Sequence, residues 1–231
     1  MKTSKVLFIT GGSSGIGLAT ARQAVANGHK VFIVGRDKAK LASVVQELGG
    51  DNVASRDADI ADYSQLTEAV KEAVTRFGKI DVLFANAGLA KGPTGFKQKA
   101  EPDQWREMVL TNVLGTALTV QAGLVEIIKT KGHIVITGSA LGRTSIPGSL
   151  YSATKWATIG MAGSIRKEVT PDGVRVTVIE PGRLNNWEGS KGTDFPMLTP
   201  DDVARTVLFA IDQPASVSVD EMLILPTGEN I

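Results

Sequence analysis

Tyr151 and Lys155 stand four positions apart in Tyr151-Ser152-Ala153-Thr154-Lys155, a spacing that puts both side chains on one face of a helix. A free phenol, with a pKa of ~10, is too weak an acid for proton exchange at neutral pH. An ammonium within about 4–6 Å favours the phenolate and lowers that value. The pair is therefore a candidate proton donor with its tuning group. Alone, this spacing is common, and a tyrosine packed over a lysine stem meets it equally well, so the surroundings must decide. Upstream, Ile134-Val135-Ile136-Thr137 reads as a strand ending at Gly138-Ser139. The Ser139 hydroxyl, at that strand end, can meet a substrate oxygen.

A second constellation lies near the N-terminus. The run Val6 to Thr10 leads into Gly11-Gly12-Ser13-Ser14-Gly15-Ile16-Gly17, followed by the helical Leu18-Ala19-Thr20-Ala21. A strand, a glycine turn and a helix N-terminus present free N–H groups and a positive dipole end to a phosphate. The spacing is GxxxGxG. It is not the GxGxxG of many dinucleotide sites, and without a lysine after the last glycine it is not a P-loop, so ATP hydrolysis is a poor reading.

The second strand ends Val34-Gly35-Arg36-Asp37. An acidic residue at such an end accepts hydrogen bonds from the adenosine ribose of NAD, whereas an arginine pairs with the 2′-phosphate of NADP. Arg36 stands at that end, which favours NADP. Asp37 keeps NAD open as the less favoured choice, because it lies 20 residues past Gly17, the spacing of an NAD-type acid. Its other reading is the N-cap of the helix beginning at Lys38.

These segments resemble the short-chain dehydrogenase/reductase family, whose TGxxxGIG signature is met by Thr10, Gly11, Gly15, Ile16 and Gly17 and whose YxxxK is met by Tyr151 and Lys155. The resemblance runs through nearly the whole chain. It implies that Gly35 stands at the position usually acidic in NAD users, that Arg36 and Ser13 hold the 2′-phosphate of NADP, and that Asp59-Ile60 and Asn86-Ala87-Gly88 make adenine and ribose contacts. Ser139 resembles the family's catalytic serine, although twelve positions separate it from Tyr151 where thirteen is usual and Gly138 fills the thirteenth. Asn112 resembles the asparagine that distorts its helix and binds a water leading protons to the lysine. Lys155 would also contact the nicotinamide ribose, and Pro181-Gly182 resembles the PG motif beside the nicotinamide. Asn186 stands where a threonine commonly holds the carboxamide, which puts that contact in doubt. The implied activity is interconversion of a carbonyl compound and its alcohol, with Tyr151 moving the proton. A non-redox lyase or isomerase, or a redox-sensing NADP-binding protein without turnover, stays open on fold alone.

Seven β-branched runs, at 6–10, 30–34, 53–57, 82–85, 133–137, 174–180 and 222–225, alternate with helical stretches at 15–27, 38–48, 63–77, 103–129, 149–169 and 200–212. That alternation builds a parallel sheet covered on both faces. We expect a single α/β domain over 1–231, a doubly wound Rossmann-type sheet ordered 3-2-1-4-5-6-7. The irregular stretches 91–100 and 183–199 are expected as rim loops of the site. Leu141, Arg143, Trp187 and 188–198 are expected to border the substrate pocket, with Arg143 and Arg183 either meeting an acidic group or, the preferred reading, solvated at the rim.

Composition fits this frame. A chain of 231 residues, 42% hydrophobic, buries a substantial core. With 25 basic against 24 acidic side chains and no charge block, neither nucleic acid nor a membrane is the expected partner. The absence of cysteine removes disulfides and thiolate chemistry. The only histidines, His29 and His133, fit no metal-ligand spacing, and no metal is expected. With no signal or membrane segment, a cytoplasmic enzyme is expected. The family resemblance implies a homodimer or homotetramer packed through the helices around 104–129 and 149–169.

Overall fold

The computed structural model describes residues 4–90, 95–97, 99, 101–185 and 195–231. Its centre is one parallel sheet built from β1 (Val6–Thr10), β2 (Lys30–Gly35), β3 (Val53–Asp57), β4 (Val82–Ala85), β5 (His133–Thr137), β6 (Arg175–Pro181) and β7 (Glu221–Ile224). The order is β3-β2-β1-β4-β5-β6-β7, as the βαβ alternation predicted. The register places Ile9 beside Ile33 on one side and beside Phe84 on the other. Most of these strands are continuous apolar runs because helices cover both faces.

Helices α3 (Tyr63–Phe77), α5 (Thr116–Thr130) and α6 (Leu150–Val169) pack on one face around Phe8, Phe32, Leu83, Ile134 and Val176. The rings of Phe8 and Phe32 are stacked with centroids 5.7 Å apart. Helices α1 (Gly15–Ala26), α2 (Lys38–Leu48) and α7 (Pro200–Ile211) cover the other face around Leu7, Ile9, Ile33, Phe84 and Ile179. His29 and His133 are buried.

The expected helix over 103–129 is not uniform. Helix α4 (Pro102–Val109) passes into a π-helical turn, Leu110–Gly115, before α5 begins. Such a turn adds a residue to the helical repeat and is common at functional sites. Here it surrounds Asn112, the residue for which the family resemblance implied a distortion. The whole rod, Pro102–Thr130, has the length and apolarity of a membrane span, yet α5 lays Val120 and Ile127 into the core between sheet and neighbouring helices. Gly123 allows the close approach, since a Cβ there would stand 2.9 Å from Leu83.

Several element boundaries move by a residue. β2 runs on through Gly35, and β6 is shifted to Arg175–Pro181 because its ladder with β7 extends to Pro181. At the base of the expected 183–199 loop, Leu184 bridges Leu198. The segment 186–194, with Asn186 and Trp187, lies outside the described residues, as does most of 91–100.

Candidate active site

In an open parallel sheet, ligands bind at the carboxyl ends of the strands where strand order reverses. Between β1 and β4 that reversal occurs here, and a cleft of about 730 Å³ opens there. It runs from Ser13, Gly35, Arg36 and Asp59 at one end to Ser139, Tyr151, Lys155 and Gly182 at the other. Two sequence motifs more than a hundred residues apart thus share one cavity.

The glycine turn is shaped by close approach. Gly11 has φ +68° and Gly15 φ +52°, the left-handed region that glycine alone enters without strain. A Cβ at Gly17 would stand 2.3 Å from the Gly11 carbonyl oxygen, and one at Gly12 would stand 2.6 Å from Ile33. Gly12 carries a packing role that the TGxxxGIG reading did not assign. Ser14 is the N-cap of α1, but its side chain makes no capping hydrogen bond and no acidic residue occupies the first turn. The first N–H groups of α1 are thus left for an external anion.

The turn is braced from below by Thr10 and Asn86. The Thr10 hydroxyl accepts from the Asn86 N–H at 3.0 Å and from the Ala87 N–H at 3.2 Å. The Asn86 amide donates to the Thr10 carbonyl at 3.0 Å and accepts from the Thr137 hydroxyl at 3.0 Å. Asn86 therefore ties the ends of β1, β4 and β5 together while lining the cleft with Ala87 and Gly88. Asp59 and Ile60 line it too. The Asp59 carboxylate turns back to the Ala61 N–H at 2.9 Å, and the cap of α3 is Asp62 instead.

At the adenosine end, the Asp37 carboxylate accepts from the Lys40 N–H at 3.0 Å as N-cap of α2 and pairs with the Lys40 ammonium at 3.4 Å. The Ser13 hydroxyl lies 3.4 Å from where a Cβ on Gly35 would stand. The space an acidic side chain would take at 35 is cleft. Arg36 borders that space and is bound through Nη1 to Glu107 of α4 at 3.1 Å, a pair 71 residues apart that no local pattern signals.

At the other end, α6 carries Tyr151 and Lys155, with Ser149 capping its N-terminus through the Ser152 N–H at 3.0 Å. The Ser152 hydroxyl donates to the Leu141 carbonyl at 2.6 Å, which holds the turn after β5 against α6. The Ser139 hydroxyl accepts from the Leu141 N–H at 3.2 Å and stands near the Tyr151 phenol, whose ionised form it favours. Position 138 has little room for a side chain, since a Cβ there would stand 3.0 Å from Val178 and 3.1 Å from Glu180.

The Lys155 ammonium is buried, donates to the Thr137 carbonyl at 2.9 Å and lies 5.8 Å from the centre of the Tyr151 ring. Burial lowers its pKa to about 8. The phenol of Tyr151 is pushed above its ordinary value by burial, with the Ser139 hydroxyl opposing. Desolvation is therefore the largest effect on the phenol, and the lowering that opposes it comes from Ser139 and not from Lys155.

Asn112, also buried, sits behind the cleft. Its side chain accepts from the Leu89 N–H at 2.8 Å, donates to the Leu89 carbonyl at 2.8 Å and reaches the Thr154 hydroxyl at 3.1 Å. It thus joins the segment after β4 to α6.

Arg143 is solvated, as preferred, but it is not free at the rim. It is exposed to solvent and does not line the cleft, and it binds Glu180 through Nε and Nη2, each at 2.6 Å, and also Glu221. These carboxylates raise its pKa further. Arg183 lines the cleft and pairs with Glu229 at 3.3 Å. Glu229, far along the chain, gave no signal in any motif.

A glycine turn at the first crossover, a tyrosine and lysine on the helix after β5, and a cleft joining them define a nicotinamide-dinucleotide oxidoreductase. The chain belongs to the short chain dehydrogenase family, whose pattern it matches over residues 5–188. It is 34% identical over 230 residues to an uncharacterized oxidoreductase of Staphylococcus aureus strain MW2, with 97% of this chain and 98% of that one covered. An alcohol dehydrogenase from the archaeon Thermococcus sibiricus, solved with 5-hydroxy-NADP, superposes with a TM-score of 0.87 at 30% identity, covering 96% of each chain. A 3-ketoacyl-(acyl-carrier-protein) reductase from Brucella melitensis, solved with NADH, gives 0.89 at 26% identity, covering 97% of this chain and 98% of the other.

Proposed function

We propose that the protein is an NADP(H)-dependent oxidoreductase that interconverts a carbonyl compound and its alcohol, with Tyr151 as proton donor and acceptor. The observation that carries this reading is the convergence of Ser139, Tyr151 and Lys155 at one end of a single cleft whose other end is the phosphate turn. The structural relatives were solved with different dinucleotides, so the choice of NADP rests on this chain's own residues. Gly35 leaves room where an acid would read a ribose, Ser13 and Arg36 border that room, and Asp37 is engaged as a helix cap. Gly11, Gly12, Gly15 and Gly17 provide the close backbone approach that a pyrophosphate needs.

When bound, a reduced nicotinamide supplies the hydride that the carbonyl carbon accepts. The protein's own residues then handle the oxygen and the proton. Ser139 holds the carbonyl oxygen, and Tyr151 donates its proton as negative charge develops there. Burial favours the neutral phenol, the form a donor needs. The phenolate left behind is supported by the Ser139 hydroxyl, beside the Lys155 ammonium, which keeps its charge below a pH of about 8. Asn112 acts by position, fixing Leu89 and Thr154 around the lysine. We further propose a homo-oligomer, supported by the exposed apolar Val109, Leu110, Leu114 and Val125 along the α4–α5 rod and by Trp156 on α6.

The test is loss of nicotinamide absorbance when purified protein, NADPH and a panel of ketones and aldehydes are mixed, repeated with NADH. Turnover with NADPH well above that with NADH is expected. A preference for NADH would overturn the assignment of Arg36, and no turnover with either would overturn the redox reading.

A further inference from the structure

The substrate end of the cleft has an unusual arrangement of charge. Glu229 follows β7 and folds back over the turn that β6 leads into. Its side chain is 6% exposed and lines the cleft. The carboxylate accepts from the Arg183 N–H at 3.0 Å and pairs with the Arg183 guanidinium at 3.3 Å. It fits only because residue 182 is glycine: a Cβ there would stand 2.1 Å from Glu229 Oε2. Behind this wall, Arg143 is bound by Glu180, whose side chain is fully buried, and by Glu221. Among the described residues, the two arginines at this end thus face three carboxylates. Among the described residues, the apolar Leu141, Ile146 and Leu184 line this end of the cleft beside Ser139 and Tyr151.

We infer that Glu229 is a specificity-determining residue that reserves the active site for neutral carbonyl compounds and turns away keto acids and hydroxy acids. This inference rests on the proposed chemistry at Ser139 and Tyr151 and adds a substrate class to it. A substrate carboxylate reaching for Arg183 must either displace Glu229 from both of its bonds or enter as a second anion beside one cation. Both routes penalise the acid and leave the neutral substrate unaffected, which is how specificity arises from a repulsive element. The proton and hydride steps are unchanged, since Glu229 touches neither Tyr151 nor Ser139 in the described contacts.

The test compares kcat/KM, with NADPH, for an alkyl β-keto ester and for the matching β-keto acid anion. In the wild type the ester is expected to be favoured at least tenfold. Glu229→Gln keeps the shape and an acceptor oxygen for the Arg183 N–H but removes the charge, and should move the ester-to-acid ratio at least tenfold toward the acid, chiefly through the KM of the acid. Arg183→Gln removes the cation while leaving Glu229, and should move the ratio the opposite way. A ratio cancels general damage to the enzyme, and Arg183→Gln supplies an answer if Glu229→Gln does not fold. Preference for the acid in the wild type, or ratios unmoved in the variants that fold, overturns the role of Glu229 while leaving the oxidoreductase reading intact. Turnover of neither substrate, nor of any other carbonyl, overturns both.

Discussion

Replacing Lys155 by methionine removes a charge that the folded protein holds against its own stability. The ammonium is buried, and its pKa is about 8 against an ordinary 10.5. At about 1.36 kcal/mol per pH unit, that gap corresponds to about 3 kcal/mol. The sign follows from proton binding. Between pH 8 and 10.5 the unfolded chain holds the proton more tightly than the folded one, so stability rises with pH across that window, and the full penalty is present below it. Methionine is of similar length and apolar, and it forfeits the charge-assisted hydrogen bond to the Thr137 carbonyl, at about 2 kcal/mol. Lys155→Met is therefore expected to be more stable than the wild type by about 1 kcal/mol at pH 7, with the advantage gone by pH 10.5, while turnover collapses. Urea unfolding of both proteins at pH 7 and pH 10 reads this directly. A variant less stable than the wild type at pH 7, or a difference independent of pH, would refute the reasoning. The expected pattern is that of a functional group retained at a cost to the fold.

Four further outcomes are expected. Arg36→Ala should raise the KM for NADPH by about 10- to 100-fold, the worth of hydrogen bonds to a charged group, and leave that for NADH nearly unchanged. Glu107→Gln should lower the KM for NADPH by up to about fivefold, since an exposed ion pair is worth at most about 1 kcal/mol and the amide no longer competes for Arg36. Thr10→Val keeps the shape of a fully buried residue but leaves the Asn86 and Ala87 N–H groups without their acceptor, and should lower the unfolding free energy by about 2–4 kcal/mol in urea titration. His133, whose pKa burial lowers from 6.5 to about 3, takes up its proton more readily when unfolded, so stability should fall as pH drops from 6.5 toward 3; His133→Gln should flatten that acid limb.

The strands were legible in the sequence because a sheet covered on both faces demands continuous apolar runs, and the order followed from alternation with helices. The glycine turn and the Tyr151–Lys155 pair were legible because backbone approach and helical periodicity act over a few residues. What escaped were interactions made by the fold across long separations. Arg36 with Glu107, Arg183 with Glu229, and Arg143 with Glu180 and Glu221 are paired over 37 to 78 residues, and an arginine's partner cannot be read from its neighbours. The behaviour of Tyr151 was hidden for a related reason. Spacing shows that a lysine is near, but the desolvation that governs the phenol depends on burial, which only the packed structure fixes. Asn86 combines both cases: its place after β4 was visible, while its bracing of Thr10 and Thr137 needed three strand ends to meet.

The central claim is that Tyr151 moves the proton in a site that binds NADPH independently of it. Tyr151→Phe, examined by NADPH fluorescence titration and by carbonyl-dependent loss of nicotinamide absorbance, separates binding from chemistry in one protein. Binding within about threefold of the wild type is expected, with turnover reduced by about 100- to 10,000-fold, the range that a positioned general acid contributes. Turnover close to that of the wild type in this variant would contradict the account.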